Sequence, residues 1–195
     1  MFPGLATPAA VAAREVASAF YSPALFNHCE RTYAWAVHLA EASGLAYDDE
    51  LLYVGALLHD LGLTSAFDHH ALAFEHAGGH VAWAFAAGAG WPAHRRTRLA
   101  EVIVRHMADA VDPAVDPEGH LLETATGLDI SGRGAGEMDP QVRAAVLARW
   151  PRLNLAEQFT AAFVAEGRRK PHSAAAAALA AGIATRIAAN PLEQG

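Results

Sequence analysis

The pattern of apolar and polar positions along the chain is typical of successive helices, and the alternation expected of strands is scarce. Alanine is abundant and favours helix. Several predicted helices begin with a capping residue followed by proline, as at Thr7, Ser22 and Asp139. The pattern therefore predicts an all-α fold. The predicted helices lie near 7–20, 23–43, 48–61, 72–88, 92–108, 118–127, 139–149, 154–168 and 173–189.

Glycine marks the predicted boundaries between these helices. Gly44 and Gly62 follow the second and third helices and suit a left-handed C-terminal position. Three loops are predicted, near 62–71, 109–117 and 128–138. No linker is long enough to divide the chain. We therefore expect one domain over residues 1–195, with core motifs in 26–134 and C-terminal helices in 139–189 packing on them.

The composition of the chain argues against two classes of binding partner. The 195 residues are 53% hydrophobic and 18% charged, with a formal net charge of -7. An acidic chain lacks the basic face that a nucleic acid polymer or an anionic membrane requires. Cys29 is the single cysteine, so no intrachain disulfide can form, and no secretion signal or spanning segment stands out. These features favour a cytoplasmic protein that binds neither a nucleic acid polymer nor a membrane.

The segment ALLHDLGLT places two polar residues at the end of an apolar helix. A buried imidazole and carboxylate cost free energy unless something pairs them. A helix cap is a poor explanation, because Asp60 near a C-terminus faces the negative end of the helix dipole. Histidine and carboxylate together are a common donor set for metal ions. The doublet His59-Asp60 is therefore predicted to ligate a metal.

Other metal-type ligands also lie within or beside apolar helical segments, including His28, His76, His80, His106 and Asp129. A lone histidine on an apolar face is more often a core residue than a ligand, so spacing alone does not assign them. The remaining histidines are expected to be ordinary surface or loop residues: His38, His69, His70, His94, His120 and His172.

Five segments in order, NHCERTYAWA, ALLHDLGLT, FEHAGGHVA, EVIVRHM and LLETATGLDISGRG, resemble the HD-domain superfamily of metal-dependent hydrolases. Within it, the sequence is most similar to the cyanamide hydratase-like branch. The family's His, His-Asp and Asp pattern falls on His28, His59, Asp60 and Asp129. The resemblance implies a compact all-α fold and one divalent metal, taken to be zinc, held by these four residues.

The number and identity of metals stay open at this point. Other members of the superfamily hold two metals, often iron or manganese, using two further histidines between the doublet and the last aspartate. This chain offers His76, His80 and His106 in that interval. His80 and His106 are therefore candidates for a second metal site or for the pocket wall. We expect one metal, with these two histidines lining the pocket.

A metal with open positions lowers the pKa of bound water from 15.7 towards about 7, which provides a nucleophile at neutral pH. Asp60 or His106 could then act as the general acid or base. Arg31 lies one turn after His28, on the same face of the helix. It could orient Asp60 or Asp129, or it could form a surface salt bridge, and the sequence favours neither role. Thr64 could hydrogen-bond the substrate, but it is also a candidate N-cap for the following turn.

Two enzymatic hypotheses follow. The first is a hydratase or hydrolase of a small neutral molecule, as in the conversion of cyanamide to urea. The alternative is a phosphohydrolase acting on a nucleotide or other phosphomonoester, whose charge calls for cations. Many phosphate-cleaving relatives place a lysine soon after the doublet, whereas here Leu63 and Thr64 stand there and the single lysine is Lys170. Three arginines could compensate: Arg31, Arg105 and Arg133.

A third hypothesis is a non-catalytic binding or regulatory module that kept the fold. It is disfavoured because all four ligand positions of the pattern are filled. The alanine-rich segment 173–189 is expected to dock as a terminal helix and is a candidate surface for a homo-oligomer.

Overall fold

The computed structural model describes residues 5–194, so residues 1–4 and 195 of the predicted domain lie outside the described part. Within 5–194 the protein contains helices and no strand, which confirms the all-α prediction. The helices are α1 (Pro8–Phe20), α2 (Pro23–Ser43), α3 (Asp49–Leu58), α4 (Phe74–Gly88), α5 (Ala93–Arg105), α6 (Pro117–Ser131), α7 (Pro140–Arg149), α8 (Leu155–Arg169), α9 (Ala174–Ala180) and α10 (Ile183–Ala188). Short 3-10 turns cover Leu61–Leu63 and Pro191–Gln194.

Side-chain caps begin the first two helices as the sequence predicts. The hydroxyl of Thr7 accepts the backbone N–H of Ala10, and that of Ser22 accepts the N–H of Leu25. Gly44 ends α2 in the left-handed conformation, with φ of 66°. These contacts satisfy backbone groups that a helix end leaves without partners. α2 is therefore fixed at both ends, and it runs through the centre of the protein.

The third helix ends earlier than predicted, and Gly62 is needed for a different reason. α3 stops at Leu58, and the chain continues through the 3-10 turn. Gly62 is not among the described glycines of positive φ. A Cβ atom there would lie 2.0 Å from the backbone oxygen of Phe74. The glycine thus allows the start of α4 to pack directly against the turn that follows His59 and Asp60.

The sixth helix is longer than predicted at both ends. The loop predicted at 128–138 therefore starts later in the structure, after Ser131. Asp116 caps it by accepting the backbone N–H of Gly119 at 2.7 Å, and Pro117 follows at the first helical position. It ends at Gly132, whose φ of 73° is left-handed. Asp129 therefore lies in the last turn of α6, where the helix fixes its direction.

The alanine-rich C-terminal segment forms two helices where one was predicted over 173–189. The chain turns at Gly182, with φ of 81°, between α9 and α10. The side-chain amide of Asn190 then donates to the backbone oxygens of Asp129 and Ile130, which ties the C-terminal segment to α6. No single described helix is long and apolar enough to cross a membrane, and only the sharply bent pair in this segment matches by length and composition.

Two hydrophobic clusters meet in the N-terminal part of α2, where Ala24 belongs to the smaller cluster and Cys29 to the larger. The larger one packs α1, α2, α3, α5 and α6 and contains the fully buried Trp35. The smaller one joins α8 to α9 and α10 and contains Phe74, Phe159 and Phe163. Since His28 on α2 is buried and Phe159 packs against its ring, polar side chains lie between the two clusters.

Asp116, the residue that caps α6, should make the free energy of unfolding decrease at acidic pH. Burial acts to raise the pKa of Asp116, but hydrogen bonds from Arg98 and Arg105 outweigh it and lower that pKa. A carboxylate whose folded pKa is depressed adds stability above its unfolded pKa of about 3.9, and this contribution is lost as the pH falls through the folded pKa. Asp116→Asn keeps a capping oxygen but cannot ionise.

The measurement is urea unfolding of the wild type and Asp116→Asn between pH 2 and 7. The wild type should be more stable by a constant amount above about pH 5, on the order of 1–2 kcal/mol. The difference should shrink as the pH falls below about 4. Asp112→Asn is a matched control, because its carboxylate only accepts a local backbone N–H. A difference that does not change with pH would contradict this explanation.

Candidate metal centre

One face of α2 carries three side chains that converge on the interior. His28, Arg31 and Trp35 follow the helical spacing of three and four residues, so they share this face. All three are at most 1% exposed. A buried histidine and arginine require partners, and the partners come from the ends of α3 and α6.

The doublet lies where α3 ends. His59 directly follows the helix, and its Nδ1 lies 2.8 Å from the backbone oxygen of Ala56. That oxygen is one of the carbonyls that a helix terminus leaves without a partner. Nδ1–H therefore donates to it, and Nε2 of His59 is left to face inward. Asp60 follows and is 1% exposed.

Three donor atoms meet at one point. Nε2 of His28 lies 3.2 Å from Nε2 of His59, and Oδ2 of Asp60 lies 3.5 Å and 3.3 Å from these two nitrogens. Ligands arranged tetrahedrally at about 2.0–2.1 Å from an ion are about 3.3 Å apart. Both carboxylate oxygens of Asp60 are buried and have no hydrogen-bond partner among the described residues. The three residues therefore fit a divalent cation.

Asp129 lies outside this group, which differs from the four-residue convergence that the sequence predicts. Its Oδ2 accepts from Nδ1 of His28 at 2.7 Å, on the side of the ring away from the converging atoms. Arg31 donates to both oxygens at 2.8 Å, and the indole N–H of Trp35 donates to Oδ1 at 2.8 Å. These donors hold the carboxylate against α2. Asp129 thus fixes the ring that faces the group.

The electrostatics keep the carboxylates ionised and one imidazole neutral. Burial acts to raise the pKa of Asp60, but the positive charge of His59 and then of His28 lowers it to about 2. Burial likewise opposes ionisation of Asp129, yet the Arg31 guanidinium holds the pKa of that carboxyl well below its usual range. Burial lowers the pKa of His106 to about 3, helped by the charge of His59. His106 is therefore uncharged at pH 7.

His106 lies beside the converging donors, where the sequence predicts a pocket residue. It follows α5 directly and is 6% exposed, and its ring centroid lies 4.9 Å from that of His59 in an edge-to-face contact. Its Nδ1 lies against the backbone oxygen of Ile103. Since Nδ1–H is used in this way, Nε2 is the nitrogen that can accept a proton or hydrogen bond in the cavity.

Two other candidates lie elsewhere. His80 is exposed and borders a separate shallow cavity with His76 and Trp83, so it neither lines the pocket nor approaches His106. Within residues 5–194, no second group of three metal-type donors comes together. Thr64 donates its hydroxyl to the backbone oxygen of Leu61 at 2.7 Å and borders a different cavity. Its hydroxyl therefore neither reaches a substrate near Asp60 nor caps the next turn.

Arg31 is the orienting group and not a surface salt bridge. Its side chain is fully buried, and its remaining Nη1 donates to the backbone oxygens of Trp150 and Pro151 at 2.9 and 3.2 Å. The bidentate contact with Asp129 is the geometry in which guanidinium and carboxylate bind most strongly. Trp35 adds a donor to the same carboxylate, a role that the sequence analysis did not assign. Its position seven residues after His28 is the signal that places it there.

The converging donors form the base of a cavity of about 750 Å³. α6 contributes one wall, α8 a second, and the alanine-rich helices α9 and α10 the outer part. Phe159 and Phe163 on α8, which the sequence analysis did not mark, form the wall nearest the donors. Arg133 at the cavity is paired with Glu123 at 2.6 Å. Apart from the donors themselves, the surroundings are mainly apolar.

A helical protein with such donors beneath an open cavity belongs among the metal-dependent hydrolases and hydratases, and comparisons with known proteins support this class. The model of the HD domain family matches residues 25–150. The chain belongs to the HD domain family, which confirms the resemblance described above. The matched region contains His28, the doublet and Asp129, and it ends before α8, α9 and α10.

Two curated proteins of Saccharomyces cerevisiae are similar over most of the chain. They are cyanamide hydratase DDI2 and cyanamide hydratase DDI3. Each is 27% identical over 162 residues, which are 81% of this chain and 72% of the yeast protein. The similarity supports the cyanamide hydratase-like branch and a small-molecule substrate.

Proposed function

We propose that this protein is a metal-dependent hydratase that adds water across the carbon–nitrogen triple bond of a small neutral substrate of the cyanamide type. The observation that carries the proposal is the convergence of His28, His59 and Asp60 at the base of the cavity. The names of the two yeast relatives support the reaction. Hydration needs no oxidant and no cofactor beyond the cation.

The proposed ion is zinc, which His28, His59 and Asp60 would hold at the base of the cavity. Two imidazoles and one carboxylate with an open fourth position are typical of catalytic zinc. The same donor set also suits iron, and manganese is a further alternative. Asp129 is a positioning residue in this proposal, because a ligating histidine usually donates its other N–H to a carboxylate. Arg31 in turn positions Asp129.

Side chains of the protein would transfer the proton from water to the substrate. A bound divalent cation supplies Lewis acidity and lowers the pKa of water. Nε2 of His106 is placed to orient the attacking water and relay one of its protons to the nitrile nitrogen, which balances the addition. Asp60 stays ionised, since its pKa is about 2. Phe159 excludes bulk water from the base of the cavity by packing against the ring of His28.

The charges of the cavity weigh against the phosphohydrolase alternative. A phosphomonoester dianion calls for cationic partners near the reacting atom. Arg31 is fully used by Asp129 and two backbone oxygens, and Arg133 is paired with Glu123. Arg186 is exposed at the outer part of the cavity and donates to the backbone oxygen of Ala181. Lys170 lies elsewhere, in contact with Glu166 and Asp68. The described cavity thus offers a neutral substrate a better environment than a dianion.

The test is an assay of metal-loaded protein with cyanamide, simple nitriles and a panel of nucleotides and phosphomonoesters, together with elemental analysis. The proposal expects about one zinc per chain and formation of urea from cyanamide. Release of inorganic phosphate without urea would overturn the proposed reaction in favour of the phosphohydrolase. Protein that binds no divalent metal on reconstitution would overturn the proposed centre.

We expect His106→Gln to slow hydration while leaving the metal in place. Loss of a positioned general base or acid typically costs about 100- to 10,000-fold in rate. The metal content should stay near that of the wild type, because the three converging donors are untouched. Urea formation and elemental analysis on the same sample measure both quantities.

His80→Gln is the matched control, since His80 is exposed and lies outside the cavity. Its turnover should equal that of the wild type. Retention of more than a tenth of wild-type turnover by a metal-loaded His106→Gln protein would remove the assigned role.

A further inference from the structure

The cavity above the converging donors is far larger than cyanamide requires. It measures about 750 Å³. A water molecule takes about 30 Å³ of liquid volume, so three heavy atoms need on the order of 100 Å³ or less. Cavities of about 300–1,000 Å³ usually bury ligands of drug size. Most of the space is therefore available to a substituent attached to the reacting group.

An aromatic wall extends this space from the donors outward. The ring of Phe159 lies 5.9 Å from that of His28, edge to face, and Phe163 lies 4.5 Å from Phe159, measured between ring centroids. The two residues are four positions apart on α8, so they lie on the same helix face. Ile130 of α6 also lines the cavity. A substituent leaving the donors thus meets apolar surface first.

Alanine side chains form the outer wall of the cavity. Ala174, Ala177, Ala178 and Ala181 line the cavity from α9 and the turn after it. Their spacing of three and four residues puts them on one helix face. Larger apolar residues at these positions would fill the space, so the alanines keep it open. Ala175, a neighbour of this face on α9, is fully buried in the smaller hydrophobic cluster.

The charged side chains that line the cavity away from the donors are either hydrogen-bonded to another group of the protein or exposed to solvent. Arg133 donates to Glu123 at 2.6 Å, and Arg186 is exposed and donates to the backbone oxygen of Ala181. Asp109 is also exposed. The path from the donors along Phe159 and the alanines is therefore uncharged and calls for an uncharged, apolar substituent.

We propose that the substrate is an N-substituted cyanamide whose substituent is an apolar group the size of a benzyl or hexyl chain, an inference that rests on the proposed hydration. Water adds across the C≡N bond: its oxygen bonds to the carbon, one proton from it goes to the nitrile nitrogen, and tautomerisation moves the second there. The product is the N-substituted urea, with no other reactant. The substituent lies along Phe159 and Phe163 and ends against Ala178.

Binding tests this assignment independently of turnover. Isothermal titration calorimetry with urea, N-methylurea, N-butylurea and N-hexylurea should show affinity rising about fourfold per methylene until the cavity is filled. In parallel, kcat/KM for hydration should be higher for N-hexylcyanamide than for cyanamide. Both trends have one cause, which is burial of the substituent against the apolar walls.

Ala178→Leu should remove the dependence of affinity on chain length, because the larger side chain fills the space that the substituent would occupy. Ala180→Leu is the control, because Ala180 is on the same helix but exposed and outside the cavity. If Ala178→Leu does not fold, Ala174→Leu fills the same wall and replaces it.

The outcomes separate this inference from the proposed function. Affinities that do not change with chain length, with cyanamide turnover intact, overturn the substrate assignment alone. Affinity that rises with chain length without turnover of any cyanamide overturns the proposed hydration and the substrate assignment with it. Chain-length dependence that persists equally in Ala178→Leu and Ala180→Leu places the substituent elsewhere and also overturns the assignment.

Discussion

Asp60→Ala should leave a folded protein that retains almost no divalent metal and has lost hydration by a factor of at least about 1,000. The carboxylate supplies one of three converging donors and has no other partner among the described residues. Without it, two imidazoles remain, and the cation's effect on the pKa of water is lost with the cation. Elemental analysis should fall from about one ion per chain to about 0.1 or below.

Thermal unfolding gives a second measurement that does not depend on activity. A cation that binds only the folded state stabilises the wild type, so chelation should lower its Tm. Asp60→Ala should show no such response, because it binds little metal. Asp109→Ala is the matched control, since Asp109 is exposed at the same cavity. A fully loaded and active Asp60→Ala protein would eliminate the proposed centre.

Asp129→Asn should destabilise the protein by about 3–5 kcal/mol, because it leaves the fully buried Arg31 without its charge partner. The asparagine is nearly the same size, so the loss of charge and not a cavity sets the cost. Urea unfolding of apo wild type and variant measures it. Glu30→Gln is a control for loss of an ion pair, because its partner Arg14 is mostly exposed.

The same variant distinguishes a positioning role from ligation. If Asp129 orients His28 from outside the donor group, metal affinity should fall about 10- to 100-fold and remain measurable. Competition titrations with a chelator of known affinity provide the value. Complete loss of metal from a folded Asp129→Asn protein, equal to that of Asp60→Ala, would show that Asp129 is itself a ligand.

The sequence predicted the helices well where local chemistry marks their ends. Capping side chains at Thr7 and Ser22 and the left-handed Gly44 act within one turn, so the pattern alone locates them. Gly62 misled the prediction, because its role is a contact with Phe74 twelve residues away. A short sequence window cannot distinguish a glycine needed for backbone conformation from one needed for close packing.

The candidate centre was predictable in part for a similar reason. His59 and Asp60 stand out because an apolar helix ends on groups that need a partner. The separation of Asp129 from these donors depends on Arg31 and Trp35 reaching it from α2, and this is a three-dimensional relation. The exposure of His80 depends in the same way on which face of α4 is covered.

The region matched by the family model ends at residue 150, yet the phenylalanine and alanine walls of the cavity come from helices beyond it. Arg152 and Asn190 anchor this later part by donating to the backbone oxygen of Asp129. Under the proposed function, the residues that would hold the metal thus lie in an earlier part of the chain than those that would contact the substituent of the substrate. Exchange of the C-terminal stretch between homologues offers a modular route, in evolution or engineering, to new substrates on an unchanged reactive core.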